Sequence, residues 1–195
     1  MEATSLSLLQ RLRRRDDDPA WRRFDRVYRP LIAGWLRHAH VQASEADDLA
    51  QEVMLVVVRR LGEFEHAGRV GAFRTWLRNI SSNVLRDCWR RRQRRGEQRT
   101  TLGDLAEQLA DPQSDLSQNW ERDHDGQVLR RLLDLLAEEF AASTVQALRR
   151  LTLDQAAADA VAQELGISVG AVYIAKSRVL RRLREEAAGL LDDLT

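Results

Sequence analysis

Cysteine is almost missing from this chain. Cys88 is the only one in 195 residues, so no intramolecular disulfide can staple the fold, and the composition suits a reducing, cytoplasmic location. Its spacing from Phe73, Leu77, Ile80 and Val84 puts it on one helical face, as a small buried hydrophobe. Proline occurs only three times, so helices are rarely interrupted. No run approaches the roughly 18 apolar residues a membrane span needs, so no membrane insertion is expected. The opening Met1-Glu2-Ala3-Thr4-Ser5 lacks the basic and apolar regions of a signal peptide. Enzyme signatures are missing too: there is no glycine-rich phosphate loop and no nucleophile elbow, and the reading is not an enzyme. His38 and His40 lie two residues apart, about 200° around a helix, and cannot share a metal. His66 and His124 fall in polar stretches read as loops, with no cysteine partner nearby. No cofactor or metal is expected.

What the chain does have is apolar residues at three- and four-residue spacing almost throughout, with no sustained alternation, which makes it all-α. Charge is segregated along it. Residues 1–99 carry 21 arginines against 13 acids, net +8; residues 100–148 carry 3 against 10, net −7; residues 149–195 carry seven of each sign. That pattern reads as two small helical domains, 1–95 and 127–195, joined by a flexible acidic linker over 96–126. Only Lys176 among the 31 basic residues is lysine. An arginine-dominated inventory suits phosphate recognition, although genomic base composition gives the same bias.

Leu6-Leu8-Leu9-Leu12 opens a short first helix, and Asp18-Pro19 is a cap-and-first-turn signal for a second, to about His38. Ser44 with Asp47 resembles a capping box for a third, to about Gly62. A glycine-bearing loop precedes a fourth, from about Ala72 to Arg92. The linker has room for a helical turn or more at Leu102–Leu109. Further helices are expected at about 127–139, 143–151, 154–165 and from Val169 to about Leu191.

The stretch Ala156–Arg184 has helix-turn-helix grammar. Gly166 takes the turn, Ser168 is a good N-cap, and Val172, Ala175, Val179 and Leu183 form a core-facing arc. The opposite arc holds Gly170, Tyr173, Ile174, Ser177, Arg178, Arg181 and Arg184, placed to read base edges and hold phosphate. A plain helical hairpin with a solvated arginine face fits the same pattern.

On the third helix Asp48, Gln51, Glu52, Leu55 and Arg59 share an arc of about 100°, while Leu49, Val53, Val56 and Val57 face the core. Carboxylates and an amide around a leucine can dock an arginine-rich, apolar partner helix; an ordinary solvated face also carries such stripes. On the fourth helix Phe73, Trp76, Leu77, Ile80 and Val84 make the core stripe. Arg74, Arg78, Ser82, Arg86 and Trp89 point away from it, suited to backbone phosphate and to stacking on unpaired bases. Asn83, at the stripe's edge, is a candidate for a base edge, and the preceding loop for a base taken out of the stack.

Asp48-Leu49-Ala50-Gln51-Glu52-Val53-Met54 resembles the DLxQEvF signature of bacterial RNA polymerase sigma factors. Phe73-x-x-Trp76-Leu77-x-x-Ile80-x-x-Asn83-x-x-x-Asp87 with its trailing arginines is similar to the signature that follows it, and Gly166–Val172 with Ser177-Arg178 resembles the family's C-terminal helix-turn-helix. Two domains and an acidic linker resemble the compact extracytoplasmic-function subfamily. The resemblance implies a factor that binds core RNA polymerase and directs promoter recognition, melting and initiation. Asp48, Gln51, Glu52 and Leu55 would hold the β′ coiled coil. The loop Glu65–Gly71, with Glu65, His66 and Arg69, would work with Asn83 to capture a flipped base of the −10 element. Arg74, Arg78, Arg86, Trp89, Arg90, Arg91 and Arg92 would hold the melted strand. The last helix, through Ser168, Gly170, Tyr173, Ile174, Ser177, Arg178 and Arg181, would read the −35 duplex beside the β-flap. An anti-sigma factor is a further candidate partner.

One departure stands out. Where the family usually shows a Thr-Val-Lys-Ser-Arg run, this chain has Ala171-Val172-Tyr173-Ile174-Ala175, so the −35 contacts fall to Tyr173, Ser177, Arg178 and Arg181, with Ile174 placed for a thymine methyl. Met54 also replaces a usual aromatic. The alternative function is a free-standing helix-turn-helix regulator, which has no need of the stripe at Asp48, Gln51 and Glu52.

Overall fold

The computed structural model describes residues 7–14, 17–65, 71–95, 102–152 and 154–191. Among these are nine α-helices: α1 (Leu8–Leu12), α2 (Asp18–His38), α3 (Ala43–Arg60), α4 (Ala72–Arg94), α5 (Leu102–Ala110), α6 (Asp115–Ala137), α7 (Ala142–Thr152), α8 (Ala158–Leu165) and α9 (Val169–Ala187), with a 3₁₀ turn at Leu61–Glu63. The all-α reading holds for them.

Among the described residues, side-chain caps set four of the nine starts. Ser7 and Gln10 close a reciprocal capping box on α1. The Asp17 carboxylate accepts the Ala20 N–H at 3.0 Å, so the α2 cap lies one residue ahead of the expected Asp18. The capping box expected of Ser44 and Asp47 does not form. Helix α3 begins at Ala43 behind Gln42, with Ser44 already inside its first turn, and Asp47 instead accepts from Arg37 of α2 at 3.3 Å. Helix α9 ends at Ala187, short of the expected Leu191, and Gly189 then turns the chain at φ +82°.

Helices α2, α3 and α4 enclose an aromatic centre. Phe24 stacks on Tyr28 at 4.4 Å between ring centroids, and Phe73 meets Tyr28 edge-on at 5.5 Å. Phe73, Leu77, Ile80, Val84 and Cys88 are buried as expected, and Trp76 is half-buried against Phe64 and Phe73.

The flexible linker does not hold over 102–110 and 115–126, which are helical and packed. Leu102, Leu105, Ala106 and Leu109 form a buried stripe with which α5 lies along α4. Helix α6 starts at Asp115, not near 127, on a Ser114 cap, and its first half packs on α2 through Trp120 and His124. Trp120 meets Trp35 edge-on at 5.4 Å. His124 is thus no loop residue: it is 2% exposed, with Nδ1 2.7 Å from Asp125 Oδ1.

Leu132, Leu135 and Leu136 of α6 and Leu183 and Ala187 of α9 belong to the same buried cluster as α1–α5. A smaller cluster of Ala147, Ala158, Val161, Ala162, Val172 and Ala175 binds α7, α8 and the start of α9. The end of α9 is tied to the front of the chain by charge as well. Glu186, wholly buried, accepts from Arg23 of α2 at 2.7 Å and from Arg182, with Arg11 at 3.7 Å.

Candidate partner and nucleic-acid interface

Helix α3 turns Leu49, Ala50, Val53, Met54 and Val57 into the core, and the opposite arc is left to solvent. Asp48 and Gln51 are exposed, Glu52 is half-buried, and Leu55 is 50% exposed. Val58, 47% exposed and one turn from Leu55, extends the apolar centre of this stripe. Sequence reading missed it, although its spacing of three from Leu55 was the available signal.

The acidic end of the stripe meets the arginine run of α4. Arg91 donates to both Glu52 oxygens, at 3.0 and 2.7 Å, and Arg92 pairs with Glu45. The two surfaces that sequence reading kept apart therefore adjoin, and Glu52 and Arg91 neutralise each other. Both are about half exposed, so the pair is worth a fraction of a kcal/mol up to about 1.

Along α4 the outward reading divides. Asn83 is exposed, and its Oδ1 accepts from Arg86 at 3.2 Å, leaving the amide NH₂ for another acceptor. Arg90 and Arg91 are exposed. Arg74, Arg78, Ser82 and Trp89 are not free to face a strand. Arg78 is 5% exposed and donates to Glu121 of α6 at 3.1 Å. Arg74 pairs with Glu121 and, at 2.8 Å, with Asp125. The Ser82 hydroxyl donates to the Ala106 carbonyl of α5 at 2.7 Å. Trp89 is half-covered by α5 at Gly103, where a Cβ would come within 3.0 Å of the indole. The correction has one cause: the segment read as a linker is a pair of helices lying on this face. Glu65 is exposed at the loop's start; His66 and Arg69 lie outside the described residues.

Burial raises the Asp125 carboxyl, but hydrogen bonds from His124 and Arg74 outweigh it and hold it below the ordinary carboxylate range. Burial likewise opposes the Arg74 charge, and Asp125 and Glu121 overcome that. Tyr28, beneath them, is pushed well above its usual value by burial and then by Asp125.

At the other end, α8, a turn at Gly166 (φ +64°) and α9 form a compact corner. The Ser168 hydroxyl accepts the Ala171 N–H at 3.1 Å. Val172, Ala175, Val179 and Leu183 are buried, and Ser168, Gly170, Ser177, Arg178 and Arg181 are exposed. Tyr173 and Ile174 are 57% and 53% exposed, large apolar surface on the outer face.

An acidic-apolar stripe on α3 thus adjoins an arginine-bearing surface on α4. Residues 24–95, from within α2 to the end of α4, match the family model for sigma-70 region 2, which supports a sigma-70 family sigma factor. Region 2 implies binding to core RNA polymerase and a part in promoter melting; members of the family are transcription initiation factors rather than enzymes. No curated protein matches the chain in sequence. No helix among the described residues is long and apolar enough to cross a membrane.

Proposed function

We propose that the chain is a sigma factor of the extracytoplasmic-function type, in which α1–α4 dock on core polymerase and open the −10 element while α7–α9 read the −35 element. The observation that carries this is the exposed stripe of Asp48, Gln51, Leu55 and Val58, with Glu52 at its edge, inside the stretch that matches sigma-70 region 2. An exposed leucine and valine ringed by an amide and carboxylates suit the β′ coiled coil, an apolar helix with arginines. A free-standing regulator has no use for it.

In this reading Asn83 presents its amide to a −10 base, the loop Glu65–Gly71 holds that base, and Arg86, Arg90 and Arg91 take phosphates. Residues 127–195 act as the −35 module. Ser168 and Gly170 lie at the start of α9, Tyr173 and Ile174 meet the major groove, and Ser177, Arg178 and Arg181 follow the backbone. An apolar groove between α6, α7 and α9, lined by Leu129, Leu133, Leu148 and Val179, suits a β-flap helix. The protein works in the cytoplasm, and an anti-sigma factor is a further proposed partner.

Co-purification tests the docking face. Gln51→Ala with Glu52→Arg is expected to abolish association with core polymerase while circular dichroism stays helical. Retained association would reject this face.

A further inference from the structure

We infer that α5 and the first half of α6 form an intramolecular stand-in for nucleic acid, a latch that occupies the α4 face until DNA or polymerase displaces it. The inference rests on the reading of α4 as the strand-binding face. Glu121 and Asp125 put two carboxylates on Arg74 and Arg78, the positions where phosphates would sit. The same segment caps the Ser82 hydroxyl through the Ala106 carbonyl and covers part of the Trp89 indole at Gly103. A guanidinium cannot hold a carboxylate and a phosphate in one place, so the closed latch and a bound strand exclude each other at Arg74 and Arg78.

The seam also holds polar groups without a hydrogen-bond partner. Buried polar atoms of packed interiors nearly always find partners. Here the Tyr28 hydroxyl, the indole N–H groups of Trp35 and Trp120, His124 Nε2 and Arg78 Nε are buried without one, and all lie where α6 meets α2 and α4. Opening returns each of them to water, and Arg74 and Arg78 gain phosphates for the carboxylates they lose. The surrounding charge agrees: residues 100–148 carry net −7 and residues 1–99 net +8.

The test uses the full chain and a labelled single-stranded oligodeoxynucleotide, with binding followed by fluorescence anisotropy across a salt series. Glu121→Gln with Asp125→Asn removes the latch charges and keeps the shapes. Glu107→Gln with Asp123→Asn makes the same charge change at exposed positions of α5 and α6. The first variant is expected to bind roughly tenfold tighter than wild type at low salt, with a log K against log salt slope steeper by about 0.7 for each arginine released. The control variant is expected to stay close to wild type. Equal affinity in all three overturns the latch and leaves the α4 reading standing. Failure of all three to bind at low salt overturns both. Amide hydrogen exchange on wild type gives an answer that needs no variant: protection over 115–126 is expected to fall when the oligonucleotide binds, and unchanged protection with the strand bound overturns the latch.

Discussion

Glu186 is a wholly buried carboxylate between Arg23 and Arg182, with Arg11 close by. Its place is fixed by two demands: α9 must end against α1 and α2, and their arginines need a counter-charge where water is excluded. Removing one partner of such a set leaves the others uncompensated, so Glu186→Ala is expected to lower unfolding stability by about 3 kcal/mol in urea titrations, well beyond the effect of Glu186→Gln. A loss under about 0.5 kcal/mol would show that the arginines relax into solvent. Trp120 offers an uncharged counterpart. It is 2% exposed against Trp35, and Trp120→Ala is expected to cost about 3 kcal/mol by the same measurement. Residues whose role depends on their own helix were legible in sequence: Ser168 caps, Gly166 turns, and Val172, Ala175, Val179 and Leu183 face inward. Arg74 and Arg78 were legible only as pointing away from the α4 core stripe. What waits on that side is set by residues more than forty positions later, which periodicity cannot reach.

At the scale of elements, α2, α3 and α4 were legible because their apolar stripes are dense, and α2 also because aspartate and proline mark its start. The first half of α6 was not. Between Asp115 and Gly126 it fully buries one large apolar side chain, Trp120, beside Ser117 and His124; apart from the half-buried Leu116 the rest is polar or glycine, the composition of a linker. Tertiary ion pairs supply what apolar density does not. That origin makes the element sensitive to acid. The folded Asp125 carboxyl lies below its ordinary range: burial raises it, but the hydrogen bonds from His124 and Arg74 win. Glu139 is also held low, its burial outweighed by Arg23 and Arg182. A carboxylate lowered on folding contributes stability above its unfolded value, near 4, and that contribution disappears as pH falls through the lowered folded value. Amide protection factors over 115–126, compared between pH 7 and about pH 3, are expected to collapse before those of α2. Loss of both together would mean that α6 is held by the core rather than by its charges.

At the scale of the molecule, one arrangement joins the two surfaces. The α3 stripe stands open to a partner, its acidic end touches the arginine run, and Arg74, Arg78, Ser82 and Trp89 of α4 are engaged by α5 and α6. The proposed latch would let such a chain meet polymerase before it meets a melted strand. The outer face of α9, the proposed −35 surface, is exposed, with Tyr173 and Ile174 on it. In the proposed function, this protein gives core polymerase a promoter specificity it otherwise lacks. In vitro transcription on promoter-enriched genomic fragments, with core enzyme alone and with core enzyme plus this chain, tests it most directly. Transcripts with defined 5′ ends, sharing upstream −35 and −10 sequences, are expected only when the chain is present. An unchanged transcript pattern, with the chain shown to be bound to core enzyme, would contradict it.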